Sequence, residues 1–168
     1  DVELTITDGT TTVTTRTTTE GAAGRWQVEG LSTPGTYLVT ASSPRWGSSS
    51  TLVTLPAAGE RTVDLGVQPG LASVTGVVVG TDTLGGVGGL GGLTVTATDG
   101  TETRTATTLT GDDAGRFVLA DLPVPGDWTV TVSGRGYATV TRRLEVPTGG
   151  VHGWEVAVTA VGGVVTGT

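Results

Sequence analysis

Apolar and polar positions alternate in short runs along the whole chain. "WTVTVSGRGYATVTRRLEV" at Trp128–Val146 shows the pattern: Trp128, Val130 and Val132 fall on one face of a strand and the intervening Thr residues on the other. Turn residues separate the runs. No stretch places apolar residues at helical spacing over three turns, so almost no helix is expected. The alternation predicts strands near Ala72–Val79, Leu93–Thr98, Glu102–Leu109, Arg116–Ala120, Trp128–Ser133, Ala138–Val146 and Trp154–Ala160. Earlier in the chain it predicts strands near Val2–Thr7, Thr11–Thr18, Arg25–Glu29, Thr36–Ser42, Ser49–Leu55 and Arg61–Val67.

The two sets are related by a constant shift. "TDGT" occurs at Thr7–Thr10 and at Thr98–Thr101, and 99 − 8 = 91. The same shift carries "AGRW" at Ala23–Trp26 onto "AGRF" at Ala114–Phe117. It carries Leu31 onto Leu122, Pro34-Gly35 onto Pro125-Gly126, Tyr37 onto Trp128 and Trp46 onto Tyr137. No gap is needed from Thr5 to Val67. An ungapped offset through strands and turns alike predicts two copies of one fold, and many short strands with regular turns predict a β-sandwich. The expected organisation is therefore all-β: two tandem Ig-like or transthyretin-like sandwiches of about seven strands. Module 1 spans residues 1–68 and module 2 residues 70–160. The junction Gln68-Pro69-Gly70 is short, which limits relative motion. "GTDTLGGVGGLGG" at Gly80–Gly92 reads as a long loop inside module 2, between its first and second strands.

Module 1 has no partner for Ala72–Val79, so it is expected to lack its first strand. Residues 161–168 carry that missing pattern. Val161-Gly162-Gly163-Val164-Val165 repeats Val74-Thr75-Gly76-Val77-Val78 at a shift of 161 − 74 = 87, both fitting V-x-G-x-V. "GVVTGT" at 163–168 differs from "GVVVGT" at Gly76–Thr81 in one residue. The expectation is that Val161, Gly163, Val164, Val165 and Thr166 form a strand that completes module 1 of a second copy, with Val161 and Val165 inward. It is expected to pair beside Val2, Leu4 and Ile6 as the acceptor edge. The bland reading is that 161–168 is the stub of a next module in an excised array, and the start at Asp1 likewise suggests a processed or excerpted piece.

"VTGVVVG", "LTVTATDG" and "AGRFVLADLPVPGDWTVTVSGRGYATVTRRLEV" together resemble the carboxypeptidase regulatory-like domains, within the transthyretin-like and Cna-B-like sandwiches. The pattern is a Gly-Arg-aromatic turn into a strand, a Leu-Pro-x-x-Gly connection, an aromatic-led strand and a Gly-Tyr before the next one. The first copy follows it less closely, with "PRW" at Pro44–Trp46 where "RGY" stands at Arg135–Tyr137. The resemblance implies a non-catalytic, extracytoplasmic module of stalks, adhesins or appended regions of enzymes and transporters; fold alone does not fix function.

Composition narrows the chemistry. The chain holds 36% hydrophobic but 4% aromatic residues, so each core is built from Val and Leu with one or two rings. Trp26, Tyr37, Phe117 and Trp128 are expected to be core, with Leu31, Val39, Leu122 and Val130. Cys, Met, Lys and Asn are absent. That excludes disulfides, thiolate chemistry and zinc–thiolate sites. It also excludes N-glycosylation sequons and a lysine-based isopeptide crosslink. A net charge of −7 argues against nucleic acid or anionic membrane as partner, and no apolar run is long enough to span a bilayer.

Candidate sites are few. His152, the single histidine, sits in "TGGVHGW", expected to be a solvated turn, with no flanking Ser or Asp in a triad pattern. Asp112 and Asp113 in "TGDDAG" could offer oxygen ligands to calcium, but the equivalent "TEGAAG" keeps only Glu20, which favours a solvated turn. Outward Thr hydroxyls could carry O-linked sugars. No catalytic residue, metal or cofactor is expected, and no enzymatic activity. The expected function is a self-associating structural subunit of an extracellular filament, pilus or surface stalk, its partner being itself or neighbouring modules. The alternative is a non-catalytic glycan- or protein-binding accessory module of a secreted or membrane-anchored protein.

Overall fold

A computed structural model describes residues 2–43, 46–57, 59–81 and 88–161. The described residues contain eleven strands and no α-helix, the sole helical element being a single 3₁₀ turn at Gly111–Asp113. The strands are β1 (Glu3–Thr7), β2 (Thr12–Arg16), β3 (Gly35–Ser43), β4 (Gly47–Leu55), β5 (Leu71–Gly80) and β6 (Thr94–Thr98). They continue with β7 (Thr103–Thr107), β8 (Arg116–Pro123), β9 (Gly126–Ser133), β10 (Val140–Val146) and β11 (Val151–Val158). The all-β, sandwich-like expectation is met. Two compact units are present. The first comprises Asp1–Val74, Ala120–Pro125 and Val146–Val151; the second comprises Thr75–Leu119, Gly126–Glu145 and His152–Thr168.

The first unit contains a four-stranded sheet in the order β2-β1-β3-β4. Alternation on β1 points Leu4 and Ile6 to one side, where they join Tyr37, Val39 and Ala41 of β3 in a core whose members are all under 5% exposed. The sheet is antiparallel throughout: Glu3 pairs with Arg16 on β2 and with Ser42 on β3. The second unit repeats this ladder. β6 pairs with β7 and β9, Thr94 facing Thr107 and Ser133, so every register partner is displaced by 91. In both ladders an Asp closes the hairpin by accepting two backbone N–H bonds on its Oδ1. Asp8 takes those of Thr10 and Thr11 at 2.8 and 2.7 Å, and Asp99 those of Thr101 and Glu102 at 2.8 and 2.7 Å. Asp and Gly at a turn favour this side-chain-to-backbone arrangement.

A further sheet has the order β11-β5-β8. Its strand β5 is central and flanked on both sides. Phe117 and Leu119 of β8 and Val156 and Val158 of β11 are buried, as are Trp128, Val130 and Val132 of β9. Gly76 of β5 makes room for this packing. A Cβ there would lie 2.9 Å from Cζ and 3.0 Å from Cε1 of Phe117, and would collide with the backbone oxygen of Trp154.

Two expected strands do not form. Arg25–Glu29 and Arg61–Val67 belong to no sheet. Under the shift of 91 they correspond to β8 and β11, the strands that flank β5. In the first unit, no strand occupies the place of β5 among the described residues, so each segment lacks the partner that its ladder requires. The burial expectation fails at the same place and for the same reason. Tyr37, Val39, Phe117, Leu122, Trp128 and Val130 are buried, whereas Trp26 and Leu31 are half-buried. Residues 82–87 of the expected Gly80–Gly92 loop lie outside the described residues.

Candidate functional site

The strongest surface feature of the first unit is an open cavity of about 1060 Å³. Its floor is lined by Ile6, Tyr37 and Val39, which are buried, and by Val53 and Leu55, which are half-buried. One wall is the segment from Gly24 to Leu31 and the other the segment from Gly59 to Asp64. The walls are held by their apolar side chains, because Trp26, Val28, Leu31, Leu65 and Val67 all pack against the core cluster. Their backbones are not held. Among the described residues, no backbone–backbone hydrogen bond involves residues 26–32 or 60–67. Polar contacts along the walls are between side chains or from side chain to backbone. Gln27 Nε2 donates to Glu29 Oε1 at 2.6 Å and Tyr37 Oη donates to the Ser32 carbonyl at 2.7 Å. An apolar floor between two rows of unladdered backbone is the complement of a β-strand, which supplies N–H and C=O groups on both edges and side chains below.

The expected acceptor edge at Val2, Leu4 and Ile6 is therefore corrected. β1 is ladder-paired to β2 on one side and to β3 on the other, so it offers no free edge. Leu4 and Ile6 contribute core instead. Under the shift of 91, the place that β5 takes in the second unit falls beside 25–31 and 60–67 and not beside β1. The signal that locates it is the repeat itself, since β5 sits between β8 and β11 and not beside β6. Of the expected strand residues, Val161 is described and is 60% exposed, its N–H donating to the Gly136 carbonyl at 2.8 Å. Gly163, Val164, Val165 and Thr166 lie outside the described residues.

The other sequence candidates are scattered. His152 stands on β11, not in a turn, with Nδ1 3.4 Å from the Thr75 hydroxyl. Asp113 accepts a hydrogen bond from Arg116 Nη1 at 3.1 Å, which ties its carboxylate to a cation of its own turn. Among the described residues no three Asp, Glu or His side chains gather as metal ligands. Trp154 packs edge-on against Phe117, with ring centroids 6.5 Å apart and planes at 80°. Trp46 is 41% exposed. Asp99 has its carboxyl below the usual range, chiefly through the backbone N–H bonds from Glu102 and Thr101.

The β11-β5-β8 sheet and the ladder through β6, β7, β9 and β10 thus form the sandwich that the sequence pattern suggested. The model of the carboxypeptidase regulatory-like domain matches residues 73–161, and the chain belongs to that family. No curated protein matches the sequence. Among solved structures the Bacillus anthracis TIE protein is similar at TM-score 0.44 and 17% identity, covering 76% of this chain and 24% of that one. The shaft pilin SpaA from Lactobacillus rhamnosus GG is similar at TM-score 0.41 and 14% identity, covering 98% of this chain and 89% of that one. These likenesses are of general β architecture.

Proposed function

We propose that the chain is a non-catalytic, self-associating structural module of an extracellular filament or surface stalk, built from two tandem copies of the domain and joined by strand complementation. Residues 1–68 and 70–160 form the copies. Residues 161–168 of one chain insert into the groove of the first copy of the next, between 25–31 and 60–67. One observation carries the reading: the groove of the first unit is walled by two segments whose counterparts in the second unit are laddered to β5. The sequence of 161–168 is close to that of β5, which makes it a fitting occupant. Family membership supports an accessory, extracytoplasmic role.

The energetics favour insertion without making it irreversible. Each buried Val contributes about 1.5–3 kcal/mol and each backbone hydrogen bond about 0.5–1.5 kcal/mol. Against these stands an association cost of about 4–15 kcal/mol. Assembly is therefore concentration-dependent. A head-to-tail contact that does not close into a ring grows a filament.

Deleting residues 161–168 tests the reading. The truncated chain is expected to be monomeric by sedimentation velocity at concentrations where the full chain assembles, and to bind a synthetic 160–168 peptide. Assemblies of unchanged size after the deletion overturn it.

A further inference from the structure

We propose that Trp26 is the selectivity residue of the groove: it admits a strand that carries glycine opposite its ring, and so fixes the register of the incoming strand. The inference rests on the strand-complementation reading above and adds to it which strand is accepted and in which position.

The second unit supplies the template. The inward positions of β5 alternate as Ala72, Val74, Gly76 and Val78. At the third of these the Phe117 ring occupies the space that a side chain would need, and the Trp154 carbonyl closes it from the adjacent strand. Ala72, Val74 and Val78 on the same strand are fully buried. In the first unit Phe117 corresponds to Trp26 and Trp154 to Val63, because 117 − 91 = 26 and 154 − 91 = 63. Both Trp26 and Val63 line the groove. Trp26 is anchored on the core cluster, as Phe117 is buried beside Gly76, but it is half-buried because nothing described lies over it. Its indole is larger than the Phe117 ring, so the demand for glycine opposite it is at least as strict.

The sequence of 161–168 meets the demand at one place. Gly163 stands where Gly76 stands, with Val161 and Val165 at the positions of Val74 and Val78. A slip of two residues puts Val161 or Val165 against the indole and is excluded by overlap. A slip of one residue puts Gly162 there, with Ala160 and Val164 at the positions of Val74 and Val78 and with Val161 and Val165 turned to the other face, since every side chain changes face. That register exchanges one of the two inward valines for an alanine, so the register with Gly163 opposite Trp26 fills the groove best.

The test uses the full chain and measures its assembly by sedimentation velocity over a concentration series. Gly163 follows β11 in the chain, and circular dichroism of each variant checks that the strands are kept. Gly163→Val is expected to raise the concentration for half-assembly roughly 10- to 100-fold, the effect of overfilling a packed site. Val164→Thr, at the position of the half-buried Val77 on the opposite face, is expected to change it by less than about threefold. Trp26→Ala combined with Gly163→Val is expected to recover most of the loss, because removing the indole frees space for the added side chain. Trp26→Leu with Gly163→Val is a second rescue pair that retains more of the core contact. If Gly163→Val assembles like the wild type, or neither pair recovers assembly, selectivity by Trp26 is overturned while strand complementation stands. If the full chain does not assemble, or assembles equally well without 161–168, the underlying reading fails instead.

Discussion

Aromatic residues related by the shift of 91 do not all share one environment: Tyr37 and Trp128 are both buried, whereas Phe117 is buried and Trp26 half-buried. Trp128 is 1% exposed in a filled core, and Trp128→Ala is expected to lower stability by about 3–5 kcal/mol in urea unfolding. Trp26→Ala removes a ring that is half in solvent, so a clearly smaller loss is expected in the isolated chain. The pairing of Trp26 with Phe117 was legible from the shift of 91. Their unequal burial was not, because it depends on a strand far away in sequence. Asp99 gives a residue-scale pH signature. Backbone N–H bonds hold its carboxyl below its ordinary value, so its contribution is present above the unfolded value of about 3.9 and fades as pH falls through the folded one. Asp99→Asn keeps an acceptor for the turn and removes the titration. The stability gap between wild type and Asp99→Asn is therefore expected to narrow as the pH is lowered below about 4.

Hairpins were the most legible elements. "TDGT" names its own turn, and alternation sets the faces of the strands on either side. The ladders of β1 with β2 and of β6 with β7 follow from such local signals. Arg25–Glu29 and Arg61–Val67 carry the same alternation, yet form no strand. Alternation selects the buried face, whereas a ladder needs a neighbour whose identity the local pattern does not contain. The acceptor-edge expectation has the same origin, since local pattern could not show that β1 is paired to β2 on one side and to β3 on the other. Gly76 marks the converse case, a strand position where packing leaves no room for a side chain. Gly76→Ala in β5 is expected to destabilise the second unit by about 1–3 kcal/mol through contact with Phe117 and the Trp154 carbonyl. Urea unfolding followed by tryptophan fluorescence measures it.

At the scale of the molecule, net charge enters. Copies carrying −7 each repel one another at long range. Raising ionic strength from about 0.01 to 0.15 M shortens the screening length from about 30 to 8 Å. Assembly is expected to begin at lower protein concentration after that change, as light scattering records. The opposite salt response would place the contact on paired charges and not on an apolar strand. The unladdered walls of the groove carry one more consequence. Among the described residues no backbone carbonyl accepts from the amides at 26–32 and 60–67, while their counterparts on β8 and β11 lie in a three-stranded sheet. Deuterium should therefore enter the first pair of segments within seconds and the second pair only on unfolding. Once a strand fills the groove, both pairs should exchange slowly, and the half of the molecule that labels fastest alone becomes indistinguishable from its twin.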